Sequence, residues 1–144
     1  MKRTSYFLVI VQVVSFVAVL VTGSPVAGNR FLFSIQIAGI VLGLWATVAM
    51  GSRNLNIMPM ARRGSRLVTK GPYAVIRHPM YLAVLLVVWP VIIDTYTHFR
   101  LLVGILLSGD LVIKMFYEES ILKRHFSGYE DYVGKTKRLI PYVF

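Results

Sequence analysis

The sequence predicts an all-α, polytopic integral membrane bundle of about four transmembrane helices, with no Rossmann sheet. Three observations carry this. The composition is 56% hydrophobic and 15% charged, whereas soluble chains run at about 45–50% apolar and about 25% charged. The apolar residues gather into four runs, most of them near the ~20 residues that cross a hydrocarbon core. The basic residues then fall almost entirely into alternate connecting segments. One membrane domain over residues 1–144 accommodates all of this.

The first run, 5–22, holds no charged side chain. Lys2 and Arg3 precede it, as in a signal peptide, but Thr22 to Ala27 offers no clean small-x-small cleavage site and three further runs follow. Gly23-Ser-Pro-Val-Ala-Gly-Asn-Arg30 is rich in turn residues and reads as a tight hairpin. The second run is 31–50. A long segment, 51–78, separates it from the third, 79–97, where Pro79 suits the first helical turn and Pro90 should kink or end the regular part. The fourth run, 101–117, carries Asp110 and Lys114, so it is no plain lipid-facing span. A charged segment, 118–144, closes the chain.

The formal charge is +10, which on a soluble protein would suggest nucleic acid. Here its distribution matters more. Lys2 and Arg3 lie in the first tail. Arg53, Arg62, Arg63, Arg66, Lys70 and Arg77 lie in 51–78, and Lys123, Arg124, Lys135, Lys137 and Arg138 in the last segment. The two intervening turns hold only Arg30 and Arg100. The positive-inside rule therefore places both termini and the 51–78 loop in the cytoplasm, in a cell inner membrane. The charge reads as topology and as contact with anionic lipid heads, and nucleic acid is not needed as a partner. No residue pattern sets an oligomeric state.

Two constellations depart from a plain bundle. Arg77, His78 and Tyr81 cluster where Pro79 starts a helix, near free backbone N–H groups that suit an anionic ligand; the plain alternative is interfacial anchoring. Asp110, Lys114 and Glu118 are spaced i, i+4, i+8 and share a helix face, with Glu119 beside them. Charges inside a span usually face the bundle interior or a wet cavity; the plain alternative is a self-neutralising salt-bridge ladder. There is no cysteine, and no His or Glu spacing typical of a metal site, so no metal is expected. Gly-rich nucleotide-binding motifs are missing as well.

The stretches Leu67-Val-Thr-Lys-Gly-Pro-Tyr73, Arg77-His-Pro-Met-Tyr81, Glu118-Glu-Ser-Ile-Leu122, Phe126-Ser-Gly-Tyr-Glu-Asp-Tyr132 and Arg138-Leu-Ile-Pro141, in this order and spacing, resemble the isoprenylcysteine carboxyl methyltransferase family, within the wider group of membrane phospholipid methyltransferases. The resemblance covers roughly 65–141. It implies a membrane enzyme that uses S-adenosylmethionine, its cofactor pocket built from cytoplasmic helix ends, the loop and the C-terminal segment. Carried over by residue, Ser65, Arg66, Leu67 and Val68 match a cofactor-lining segment, and Tyr73 a tyrosine of the same pocket. His78, Pro79, Met80 and Tyr81 match the central cofactor motif, and Glu118 the acidic cofactor-binding residue. Lys114 falls where eukaryotic members carry an arginine that meets the substrate carboxylate; it keeps the charge without the two-pronged fork. Ala83 stands where a glycine is common.

On this basis the expected function is S-adenosylmethionine-dependent methylation of a lipophilic or lipid-modified acceptor, first a prenylcysteine-like carboxylate. Glu118 or Glu119 would pair with the cofactor's positive groups. Arg77, or the helix start at His78, would take its carboxylate. Lys114 would orient a carboxylate acceptor, which needs no general base. An amine acceptor, as in the phospholipid enzymes, would make Glu119 the candidate base. Readings from other classes are a non-catalytic small membrane protein and a membrane reductase.

Overall fold

A computed structural model describes residues 2–51, 67–141 and 143, with side chains from Ser5 onward. Among the described residues the chain is all-helical. Helices α1 (Lys2–Val21) and α2 (Arg30–Met50) are followed by a short 3-10 turn, Gly71–Ala74. Then come α3 (Pro79–Asp94), α4 (His98–His125) and α5 (Tyr129–Lys135).

The ends of these helices follow from their sequence. Asn29 caps α2, its side chain accepting from the N–H groups of Phe31 and Leu32, so two otherwise orphaned donors are satisfied. His78 occupies the N-cap of α3 and Pro79 its first turn, as the sequence suggested. Thr97 caps α4 by accepting from Arg100 N–H. Helix α3 stops at Asp94 rather than running to Thr97, because Thr95 to Thr97 close one helix and cap the next. It continues through Pro90. Helix α4 outlasts its apolar run by two turns and ends in Lys123, Arg124 and His125, basic residues of the kind that suits the negative end of a helix dipole.

Contacts fix the directions. Gln12 meets Lys114 and Val19 meets Arg100, so α1 and α4 run antiparallel. Gly39 and Gly43 lie against Ala83 and Leu86, so α2 and α3 do too. A Cβ at Gly39 would stand 2.8 Å from Leu86 Cβ and 3.0 Å from the Ala83 carbonyl; glycine is what lets these helices approach. Ala83 sits in this crossing. The four long helices thus pass back and forth, and the start of α1, the end of α2, residues 67–78 and the C-terminal segment share one end.

The core lies where α1, α3 and α4 meet. Val19, Val88, Val91, Ile92, Leu107, Leu111 and Met115 are buried there, with Leu139 from the C-terminal segment. At the end away from the chain start, the Asp94 carboxylate accepts from Gly28 and Asn29 N–H, and Arg100 donates to the carbonyls of Val19 and Thr95. These bonds hold the 22–30 turn against the α3–α4 turn.

The distribution of polarity is inside out. Val48 is 79% exposed, Phe31 72% and Leu102 66%, while Gln36, Arg100, Asp110, Lys114 and Glu119 are buried. So wide an apolar exterior is foreign to a soluble monomer. Among the described residues, α2 is long and apolar enough to cross a membrane, and Ser5–Val21 and α3 are shorter apolar helices.

Candidate active site

The end of the bundle that holds the chain start also gathers the polar groups. Gly71, at φ +60°, makes a turn that L-residues rarely adopt. A Cβ there would lie 3.1 Å from Ala49 Cβ and 3.2 Å from Trp45 Nε1, so glycine also lets the turn rest on α2. Pro72 and Tyr73 follow, both buried. The C-terminal segment then pairs alongside. Ile76 and Lys137 form a parallel bridge; Arg77 N–H donates to Lys137 O at 2.7 Å and His78 N–H to Arg138 O at 3.0 Å. Tyr132 of α5 donates its hydroxyl to Tyr73 O at 2.7 Å. The backbone N–H groups of Arg77 and His78 are therefore taken by the C-terminal segment, and within the first turn of α3 Tyr81 N–H donates to His78 O at 3.1 Å.

Glu119 is the hub of this closure. Its carboxylate receives Arg77 Nε at 2.9 Å, Arg138 Nε at 3.2 Å and His78 Nε2 at 3.4 Å. Arg77 also donates through Nη1 to the carbonyls of Thr136 and Val133. Burial works to raise the Glu119 carboxyl, but the hydrogen bonds from His78 and Arg77 and their charge prevail and hold it at about 2. One carboxylate thus joins α4, the start of α3 and the C-terminal segment.

Glu118 faces a different set. Its side chain is 22% exposed, and Oε1 accepts the Tyr81 hydroxyl at 2.5 Å. The His78 ring lies flat against Tyr81, centroids 5.3 Å apart and 4° from parallel, with Nδ1 3.9 Å from Glu118. Burial raises the Glu118 carboxyl, against the lowering effect of the Tyr81 hydrogen bond and of His78 and Lys114. Below it, Lys114 Nζ stands 5.4 Å from the centre of the Tyr81 ring and donates to Gln12 Oε1 at 2.7 Å. Asp110 is buried one turn further on, its Oδ2 without a hydrogen-bond partner among the described residues.

The acidic and basic groups of α4 do share the inward face, as their spacing required. They do not form a salt-bridge ladder: among the described residues Glu119 pairs with Arg77 and Arg138, His78 lies against both glutamates, and no carboxylate pairs with Lys114.

Of the residues singled out in the sequence, Ser65 and Arg66 lie outside the described residues. Tyr73, His78, Pro79, Tyr81, Glu118 and Lys114 are brought together around the start of α3, with Met80 half-buried beside them. The Tyr73 hydroxyl is buried without a hydrogen-bond partner, and burial pushes it up, helped by Tyr132 and Glu118. Leu67 and Val68 are half-buried. Leu67 lines an open cleft of about 350 Å³ with Thr69, Ala74, Gly128, Asp131, Tyr132, Lys135 and Thr136. Sequence reasoning missed Gln12, Thr136 and the helix α5. The i, i+3 spacing of Tyr129 and Tyr132 was the available signal for α5, and both are buried.

An apolar-sided helical bundle, with one polar end closed by its own C-terminal segment and a half-open carboxylate beside stacked aromatic rings, has the character of a membrane-type protein whose polar end is the candidate site. The chain belongs to the phospholipid methyltransferase family, whose model matches residues 30–128. The match takes in α2, α3, α4 and the Glu118 and Glu119 pair, but neither α1 nor the segment after Gly128. Membership indicates methyltransferase activity and a membrane setting. No curated protein and no solved structure matches the chain.

Proposed function

We propose that the protein is an integral membrane methyltransferase that takes its methyl group from S-adenosylmethionine and passes it to a lipophilic acceptor, first a prenylcysteine-like carboxylate. The observation that carries this is the Glu118–Tyr81–His78 group: a half-open carboxylate, set by a tyrosine and a stacked imidazole, at the membrane-surface end of a bundle of methyltransferase family. The residues suit the cofactor. Glu118 is engaged on one oxygen by Tyr81 and retains acceptor capacity for a cationic group. The buried Tyr73 hydroxyl has a hydrogen bond left to make, which supports its place near a polar ligand. Leu67, Val68 and Met80 offer apolar packing, and Ser65 and Arg66 join them through the family resemblance.

When bound, S-adenosylmethionine supplies a methyl group on a sulfonium, which an in-line nucleophile takes. Glu118 holds the cofactor's cationic part, while Tyr81 and His78 fix the carboxylate's direction. Lys114 orients an anionic acceptor. A carboxylate acceptor arrives deprotonated at neutral pH, so alignment and exclusion of water provide most of the rate. Arg77 and Glu119 act as the clamp that shapes the pocket. Glu119, held at about 2, accepts protons poorly at neutral pH and is assigned a structural rather than a basic part. A phospholipid amine is the second reading, favoured by the family to which the chain belongs.

The four long helices are proposed to span the membrane. Lys70, Arg77, Lys123, Arg124, Lys135, Lys137 and Arg138 lie at the site end, and the positive-inside rule makes that end cytoplasmic. The acceptor's tail would reach the site sideways through lipid. Incubating proteoliposomes with methyl-labelled S-adenosylmethionine and either a farnesylcysteine or phosphatidylethanolamine tests the proposal. Label in the organic phase, lost with Glu118→Gln, supports it; no transfer to either acceptor by folded protein refutes it.

A further inference from the structure

Helix α1 lies outside the stretch that carries the family match, yet it reaches the site through Gln12. Gln12, half-buried in its middle, places Oε1 2.7 Å from Lys114 Nζ. An ammonium has three N–H donors, and this is the single hydrogen bond Lys114 makes among the described residues, although Lys114 is only 4% exposed. Asp110 and Glu118 stand one turn away on either side, but no described carboxylate comes within 4.0 Å of Nζ. The Gln12 amide nitrogen has no described partner either. A buried cation with donors in hand sits beside a fixed amide with donors in hand, between α1, α4 and the Tyr81 ring. Leaving donors of a buried ammonium unpaired is costly, and the group that would satisfy it and meet the half-buried Gln12 amide at once is an anion.

We propose that Lys114 and Gln12 form a two-donor clamp for one anionic group, a carboxylate or a phosphate, carried on an apolar tail. A lysine alone recognises an anion as a point charge, without the paired donors of a guanidinium. The Gln12 amide, locked by its bond to Lys114, supplies the second prong. Gln12 is thereby an acceptor-binding residue contributed by α1. Calling the ligand the methyl acceptor rests on the methyltransferase reading; the clamp itself does not.

The full chain in detergent is titrated calorimetrically with N-acetyl-S-farnesylcysteine, with its methyl ester, and with a lysophosphatidic acid. The first and last separate a carboxylate source from a phosphate source. At least one anionic probe is expected to bind wild type more tightly than the ester. Gln12→Leu should weaken that probe about tenfold, the scale of one charge-assisted hydrogen bond, and leave the ester unchanged. Adding Lys114→Arg to Gln12→Leu should restore most of the loss, since a guanidinium carries both prongs. The clamp is overturned if neither anionic probe outbinds the ester. It is equally overturned if Gln12→Leu binds the anion like wild type, or loses ester and anion alike. S-adenosylhomocysteine titrated in parallel reads the methyltransferase proposal separately: anion binding that depends on Gln12 without any nucleoside binding would keep the clamp and sink that proposal.

Discussion

Replacing Glu119 with glutamine should unfasten the C-terminal segment. The carboxylate is 6% exposed and takes three partners, Arg77, Arg138 and His78. Its descent from an ordinary 4.5 to about 2 corresponds to about 3 kcal/mol of native-state stabilisation, at about 1.4 kcal/mol per tenfold. Independent experience with broken buried ion pairs gives ~3–5 kcal/mol. The sign follows from linkage. A carboxyl lowered in the folded state stabilises fully above its unfolded value, and that contribution drains away as pH falls from about 4.5 through about 2. Glu119→Gln should therefore cost about 3 kcal/mol at pH 7, and should flatten the acid limb of the stability profile between those limits. Detergent unfolding followed by the fluorescence of Trp45 and Trp89, at pH 7 and down to pH 2, measures both. Exposed Glu130→Gln serves as the control. A Glu119→Gln protein within about 0.5 kcal/mol of wild type, the range of a neutral surface change, with an unchanged acid limb, would refute the clamp.

Other outcomes can be checked on the same protein. Tyr132→Phe removes the hydroxyl that donates to Tyr73 O and should cost about 1 kcal/mol in the same unfolding assay. Gly39→Val would push a side chain to within 2.8 Å of Leu86 Cβ and 3.0 Å of a backbone carbonyl, so a loss of about 1–3 kcal/mol is expected; a stabilised variant would mean that α2 and α3 do not pack as described. Tyr81→Phe leaves the ring against His78 but frees Glu118 Oε1. Nucleoside affinity should fall several-fold with little change in unfolding, on the scale of about 1 kcal/mol for one hydrogen bond.

The helical class and most helix starts were legible because they depend on local chemistry. Asn29, Pro79 and the charge-free runs mark their own places. Helix ends were harder. Asp94 looked like part of a longer run, yet its carboxylate is spent on the N–H groups of Gly28 and Asn29, far away in sequence. The charged last turns of α4 lay beyond the reach of hydropathy, because Glu119 is buried by partners from α3 and the C-terminal segment rather than by its neighbours. The same reason separates the two glutamates. Adjacent on one helix, they are separated in sequence by the family resemblance and not by spacing, and in the structure Glu119 turns into the Arg77 clamp and Glu118 toward Tyr81. Spacing alone put Asp110, Lys114 and Glu118 on one face; it could not foresee that Gln12, an unremarked polar residue in the first apolar run, meets Lys114 there.

The central claim is that the group around Glu118 holds S-adenosylmethionine. Calorimetric titration of S-adenosylhomocysteine into the detergent-purified chain, beside Glu118→Gln and Tyr81→Ala, tests it most directly. Micromolar binding by wild type, weakened at least tenfold by Glu118→Gln as expected for a lost charged hydrogen bond and reduced by Tyr81→Ala, is the expected result. A folded wild type that does not bind, or binding indifferent to Glu118, would contradict it.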